Sequence, residues 1–224
     1  EASLKYFLLG AFSSAFFLFG TALIFGFAGS VYLPDIAEAI TAQGSAFDGL
    51  LVPGVLLVLA GLLFKVGAVP FHMWTPDVYQ GAPTPVTGFM AAATKAAAFG
   101  AILRFVYVGV DRAQWDWRPA VVVIAALTMI VGAVLSVTQT DMKRLLAYSS
   151  IAHAGFILVG VLSMERAGVS GVMFYLAAYG LTTIAAFAIV GLVREGGSEA
   201  THLSQWTGLG KRHPWTAGVF AFLL

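Results

Sequence analysis

Six windows of mostly apolar residues run through this chain, at 4–28, 50–70, 86–107, 119–138, 144–163 and 169–193, and a seventh starts near Pro214. A helix needs about 20 such residues to cross the hydrocarbon core of a bilayer. Within lipid every backbone N–H and C=O must be bonded internally, which leaves only helices and closed barrels. Barrel strands alternate apolar and polar residues over about ten positions, and no such alternation occurs here. The sequence therefore predicts an all-α, polytopic transmembrane helix bundle of six full spans and a truncated seventh. Composition agrees, because charged residues make up 10% of the chain where soluble domains carry about 25%. A formal net charge of +1 leaves no basic stripe to neutralise phosphates, so nucleic acid is excluded as a partner. With no cysteine the chain has no disulfide, iron–sulfur or thiolate chemistry, and any redox cofactor belongs on another chain. Position 1 is Glu rather than Met, and the last apolar run, HPWTAGVFAFLL, is too short to cross a bilayer. Both ends predict an internal fragment of a longer subunit, with 1–224 forming a single transmembrane domain.

The connections differ in character. Residues 30–49 hold Asp35, Glu38 and Asp48 with no Lys or Arg. The 70–85 segment holds Pro70, Pro76, Pro83, Pro85 and Gly81, too many breakers for a regular helix. It reads equally as a loop or as a broken helix re-entering the membrane, for which Trp74, Val78 and Tyr79 supply apolar surface. If the spans alternate, one face collects Lys143, Arg144, Arg194, Lys211 and Arg212, and the other Arg104, Arg112, Arg118 and Arg166. That small excess votes for a cytoplasmic start to the first span.

Lys65 and Lys95 sit inside the apolar windows with no acidic residue beside them. A charge at bilayer depth costs several kcal/mol on most scales and by default marks an ion or proton path. Desolvation without a counter-charge disfavours the ammonium form, which makes such a lysine able to take and release protons. Gly88, Ala92, Lys95 and Phe99 share one helix face, so Lys95 is predicted to point into the bundle. The competing reading is a structural, hydrogen-bonded lysine. For Lys65, either the span ends near Pro70 and the ammonium reaches interfacial water, or Pro70 breaks a longer helix at membrane depth, a recurring device at transport sites.

Lys5 lies close to the start of its apolar run and reads first as an interfacial, snorkelling lysine. His153, within LLAYSSIAHAGFILVGVL, is either a proton shuttle or a buried histidine satisfied by the hydroxyl of Ser149 or Ser150. Tyr175, Tyr179, Thr182 and Thr183 form a polar stripe that either lines a wetted path or only bonds neighbouring helices. His72, Asp77 and Tyr79 cluster in the proline segment but fall short of a metal-ligand set. No phosphate loop, nucleophilic triad or zinc spacing occurs, so no residue is assigned a catalytic role and no metal site is expected.

FKVGAVPFHMWTPDVYQGAPTPVTGFMAAATKAAAFGAILR (64–104), DMKRLLAYSSIAHAGF (141–156) and EASLKYFLLGAFSSAFFLFG (1–20) together resemble the antiporter-like membrane subunits of the proton-pumping NADH–quinone oxidoreductase, respiratory complex I. The match runs along essentially the whole chain. Its Pro76-Asp77-Val78-Tyr79-Gln80-Gly81, where the M and L branches and the Mrp-type cation/proton antiporters usually carry PDAH, points to the N branch. The resemblance implies a fold of fourteen helices in two inverted five-helix repeats. Residues 1–107 would be the back of the first repeat and 119–224 the front of the second. The family's broken helix falls on Lys65 and Pro70, its axial lysines on Lys5, Lys65 and Lys95, and its polar residue on the tenth helix on His153. A glutamate that the family pairs with the lysine at Lys5 would precede Glu1, and a later lysine would follow Leu224.

What the resemblance implies is a proton-translocating membrane-arm subunit in a bacterial inner membrane. Lys65 would act as the switching group, handing protons to Lys95, with Lys5 modulating Lys65 and His153 linking to the second half. No cofactor would bind this chain, since NADH, FMN, iron–sulfur clusters and quinone belong to other subunits of the complex. Its partners would be other membrane-arm subunits and the lipid bilayer. The alternatives are a stand-alone Mrp-type cation/proton antiporter subunit and a non-conducting membrane scaffold.

Overall fold

Helix boundaries in the computed structural model, which describes residues 1–44 and 49–224, follow the apolar windows closely. Asp48, counted in the acidic connection, lies outside the described residues. In chain order come α1 (Ala2–Ala28), α2 (Leu33–Gln43), α3 (Leu51–Val66) and α4 (Trp74–Gly81). Next, α5 (Thr84–Phe89) and α6 (Lys95–Arg104) join through a π-helical turn at Met90–Thr94 and run into a second at Phe105–Gly109. They make one continuous rod, Thr84–Gly109. Then follow α7 (Gln114–Val137), α8 (Met142–Leu162), α9 (Arg166–Leu192), a small hairpin of β1 (Arg194–Glu195) and β2 (Ser198–Glu199), α10 (Leu209–Arg212) and α11 (Pro214–Leu223). Among the described residues, five stretches are long and apolar enough to cross a membrane: α1, the rod, Asp111–Val137, α8 and α9.

The window at 50–70 is where the structure departs from the expectation. Its helix α3 has 16 residues and stops at Val66, ahead of Pro70. Gly67 takes a left-handed conformation, φ 75°, which only glycine adopts without strain. Its N–H donates to the Phe64 carbonyl at 3.1 Å and that of Ala68 to Leu63 at 3.0 Å, satisfying the last carbonyls of the helix. Val69 N–H donates to Thr128 Oγ1 of α7 at 3.0 Å, and Trp74 Nε1 donates to the Phe64 carbonyl at 2.9 Å. The break is thus a built turn whose freed backbone groups find partners on α7 and α4, as a low-dielectric setting demands. Pro70 lies within this turn, after a cis Val69–Pro70 bond, rather than at its start. The proline segment continues as turn to Met73, becomes helix over Trp74–Gly81, and breaks again at Ala82 and Pro83 before α5.

Small residues bring helices into backbone contact. A Cβ at Gly132 of α7 would lie 2.5 Å from the Ala152 nitrogen of α8, and one at Gly20 of α1 would lie 2.7 Å from the Gly54 carbonyl of α3. Such close approach is the usual basis of helix association in lipid, where apolar burial gives no drive. Of the two buried clusters, one gathers Ile24, Leu59, Ile102, Trp117 and Ile157. The other gathers Phe64, Trp74, Tyr79, Leu146 and Phe187. Outward faces carry exposed Phe7, Leu18, Val123 and Phe174, as lipid or neighbouring helices require.

Polar contacts fix which helix ends share a membrane face. Lys5 meets Asp77, Lys143 Nζ donates to the Ala82 carbonyl at 3.2 Å, and Glu199 accepts from Thr84. The start of α1, the α4–α5 junction, the start of α8 and the end of α9 therefore lie together. This face carries Lys143, Arg144 and Arg194, as alternation of the spans predicts.

Candidate functional site

Lys95 opens α6 directly after the π turn and is 3% exposed. Single π turns inside helices recur at functional sites. Here the turn leaves Gly88, Ala92, Lys95 and Phe99 all facing inward, as their spacing predicts. The Lys95 ammonium donates to both the backbone carbonyl and the hydroxyl of Ser150 on α8. Its nitrogen also lies 5.7 Å from the ring centroid of Tyr179 on α9. Among the described residues no carboxylate pairs with it. The cation is held entirely by neutral oxygens and an aromatic face.

His153 sits one turn beyond Ser150 on α8. Its Nδ1 is 2.6 Å from the Tyr175 hydroxyl, and its ring lies 4.6 Å from that of Tyr179. The hydroxyl on His153 is not that of Ser149 or Ser150, the partner one of its two readings supplied: Ser150 serves Lys95, and the Tyr175 phenol on α9 meets the imidazole. Tyr179 touches both Lys95 and His153, so the α9 stripe joins the site. With Ser149 and His153, three of its members, Tyr179, Thr182 and Thr183, line a cavity of about 80 Å³. That is room for several waters, each with polar partners.

A second cluster lies at the end of the bundle where α1 starts. Asp77 of α4 accepts from Lys5 and, at 2.5 Å, from Arg144 Nη1 of α8. Arg144 also donates to Gln80 Oε1 and to Gln139 Oε1, each at 3.2 Å. Asp141 caps α8 by accepting the Arg144 N–H at 3.0 Å, and it accepts from Gln80 Nε2 at 3.2 Å. Lys5 is thus ion-paired rather than merely snorkelling. Asp77, read in sequence only as a weak metal ligand, is a carboxylate shared by two cations. It is not joined by its supposed neighbours: Tyr79 packs between Trp74 and Phe187, and His72 faces Tyr148. Among the described residues no group of three His, Asp or Glu is placed to hold a metal.

Lys143, beside Arg144, is buried and pairs with Glu199 of β2 at 3.1 Å. Thr84 Oγ1 donates to the same carboxylate at 2.5 Å. The Thr84 hydroxyl first, then the Lys143 ammonium, hold the Glu199 carboxyl below the usual glutamate range, although partial burial opposes them.

Lys65 stands apart. Its side chain is exposed near the end of α3 and makes no hydrogen bond or ion pair among the described residues. The structure brings Lys95 and His153 to one site and Lys5 to Asp77, and does not bring Lys65 to either. Sequence reasoning missed Arg144 and the sharing of Asp77. The available signal was an acid and two cations, all near predicted helix ends on one face.

Comparison with known proteins bears directly on this arrangement. All of residues 1–224 match the family described as NADH:quinone oxidoreductase/Mrp antiporter, transmembrane. NADH-quinone oxidoreductase subunit N of Beutenbergia cavernae is 63% identical over 230 aligned positions, which cover all of this chain and 43% of that protein. A chain of respiratory complex I from Thermus thermophilus superposes with a TM-score of 0.80 at 40% identity, over 100% of this chain and 47% of that one. A chain of the Mrp complex from a Dietzia species superposes with a TM-score of 0.86 at 27% identity, over 99% and 40%. This chain thus spans less than half the length of the relatives it matches. With its whole length matched by the family and 99–100% of it superposing on chains of both kinds of complex, the chain belongs to the NADH:quinone oxidoreductase/Mrp antiporter family of membrane proteins.

Proposed function

We propose that this chain is part of a proton-translocating membrane-arm subunit of a bacterial NADH–quinone oxidoreductase, embedded in the cell membrane beside other membrane-arm subunits. NADH, FMN, iron–sulfur clusters and quinone act on other subunits, and this chain contributes no redox chemistry. The observation that carries the reading is Lys95: a buried cation at mid-membrane held only by neutral acceptors. Such a lysine can give up its proton without stranding a buried anion, the penalty that follows when one partner of a buried ion pair is neutralised. Tyr179, His153 and the adjoining cavity offer a route by which that proton moves laterally. The imidazole of His153 can pass a proton through either ring nitrogen. Lys5 and Asp77 form a pair whose opening would alter the field along the axis. Lys65, beside the helix break, is proposed as the switching group that hands protons to Lys95.

The identity to subunit N favours this reading over a stand-alone antiporter, whose solved relative is more distant. The test is NADH-driven, quinone-dependent proton uptake into vesicles carrying the full-length subunit, with assembly checked on a native gel. Lys95→Ala should assemble normally and lose most proton uptake, and Lys65→Ala should do the same. Unchanged uptake in both would sink the reading in favour of a scaffold. Sodium-dependent exchange without quinone reduction would favour the antiporter.

A further inference from the structure

Two cavities meet at Arg194, the residue that leaves α9 for the hairpin. The first, of about 400 Å³, is a groove between the opening turns of the Thr84 rod and the last turns of α9. Its walls are small or apolar, with Gly88, Phe89, Ile184, Phe187 and Ala188 among them, and Arg194 stands at its mouth. The second, of about 260 Å³, lies beyond the helix end between the hairpin and α10–α11, and Arg194, Arg212 and His213 line it. One guanidinium therefore caps an apolar slot at membrane depth and opens a basic pocket at the membrane surface.

The charges there are only partly neutralised internally, since Glu199 and Glu195 lie near Arg194. Glu199 borders the groove, but its carboxylate is engaged by Thr84 and the buried Lys143. The Arg194 side chain makes no hydrogen bond or close ion pair among the described residues, although its charge reaches Glu199, and among the described residues Arg212 donates only to the Thr207 carbonyl at 3.2 Å. Glu195 is the one acid lining the basic pocket. A soluble anion would have no use for the groove, and an apolar helix of a neighbouring protein would have none for the arginines. A single molecule with an acyl chain and an anionic headgroup satisfies both. Basic pockets between membrane helices are suited to such headgroups. We infer that the groove between the Thr84 rod and α9 holds an anionic phospholipid, its acyl chain against Ala188 and Gly88 and its phosphate on Arg194 and Arg212. The inference does not depend on the proton-path reading.

The test uses the full-length subunit in nanodiscs, with phosphatidylglycerol and phosphatidylcholine as probes and retained lipid read by native mass spectrometry. Wild type should retain phosphatidylglycerol in preference to phosphatidylcholine. Arg194→Gln should weaken that preference about fivefold, since a basic residue at the surface contributes about 1 kcal/mol toward anionic lipid and 1.4 kcal/mol is tenfold. Ala188→Leu, which fills the groove, should reduce retention of both lipids while leaving the salt dependence unchanged. Arg166→Gln, on the opposite membrane face, should have no effect. Equal retention of the two lipids by wild type, or an unchanged preference in Arg194→Gln, overturns the inference. So does a photo-crosslinker at position 188 that captures another polypeptide instead of lipid. Should Ala188→Leu fail to insert, the Arg194→Gln and crosslinking results decide alone.

Discussion

Asp77→Asn is the substitution for which the structure makes the sharpest forecast. Asp77 accepts from Lys5 and Arg144 at once, so a near-isosteric amide removes two ion pairs and leaves two cations facing each other. Unit charges about 4 Å apart interact by roughly 4 kcal/mol at an effective dielectric of about 20. The side chains of Lys5, Asp77 and Arg144 remain 35%, 30% and 28% exposed, so solvent screens much of this. Exposed pairs measure about 0.2–1 kcal/mol and fully buried ones several times more. Each pair here should fall near 1–2 kcal/mol, and Asp77→Asn, which removes both, should cost about 2–4 kcal/mol. The stronger forecast is non-additivity. Lys5→Met should cost about 1 kcal/mol in the wild-type background, but nothing, or should even stabilise, in Asp77→Asn, where it relieves repulsion from Arg144. The assay is the thermal midpoint of the full-length subunit in nanodiscs for all four members of the cycle, repeated at low and high salt. Effects that add to within about 0.5 kcal/mol, or a cycle indifferent to salt, would refute the idea that one carboxylate serves both cations.

Three further outcomes follow from the same geometry. Thr128→Val keeps the volume but strands the Val69 N–H inside the helix break, an orphan donor that costs about 1–3 kcal/mol. Amide exchange should accelerate over 67–73, while Thr128→Ser, which keeps the acceptor, should behave as wild type. Tyr175→Phe removes the hydroxyl bonded to His153 Nδ1 and should shift the pH profile of proton uptake without impairing assembly. An unchanged profile would leave Tyr175 as packing alone. Because the folded Glu199 carboxyl is held below its ordinary value of 4.5, its contribution is complete above that pH and fades as pH falls through the lowered value. Amide protection factors in 194–206 should therefore fall on acidification from pH 6 to below 4.5, and Glu199→Gln should flatten that response.

What the sequence made legible is what the bilayer dictates locally. Windows of adequate length mark helices because lipid tolerates no unbonded backbone, and α1, α7, α8 and α9 follow them within a few residues. Hydropathy could not find the end of α3, because Gly67, Ala68 and Val69 are as apolar as the residues before them. The signal there is conformational, a glycine that can turn left-handed, and Thr128 completes the turn from 59 residues away. The face of Lys95 was legible from its small neighbours at helical spacing, but Ser150, 55 residues on, was not. Asp77 alone resembles a solvated loop acid, and becomes informative only when the fold carries Lys5 and Arg144 to it across 72 and 67 residues.

The three lysines read as one class in sequence, and the fold separates them by what answers their charge. Lys5 has an anion, so losing its proton would leave Asp77 with Arg144 as its only cationic partner. Lys65 has no hydrogen-bond or ion-pair partner among the described residues, and its side chain is exposed. Among the described residues Lys95 has only the carbonyl and hydroxyl of Ser150 and the face of Tyr179. Neutral acceptors of this kind hold an ammonium well and can be left by its proton at little electrostatic cost, since no full negative charge is uncovered. An ion pair would trap the proton, and an apolar pocket would refuse the charged form outright. Buried lysine with hydroxyl and carbonyl partners lies between those limits, which is the condition a mid-membrane relay has to meet.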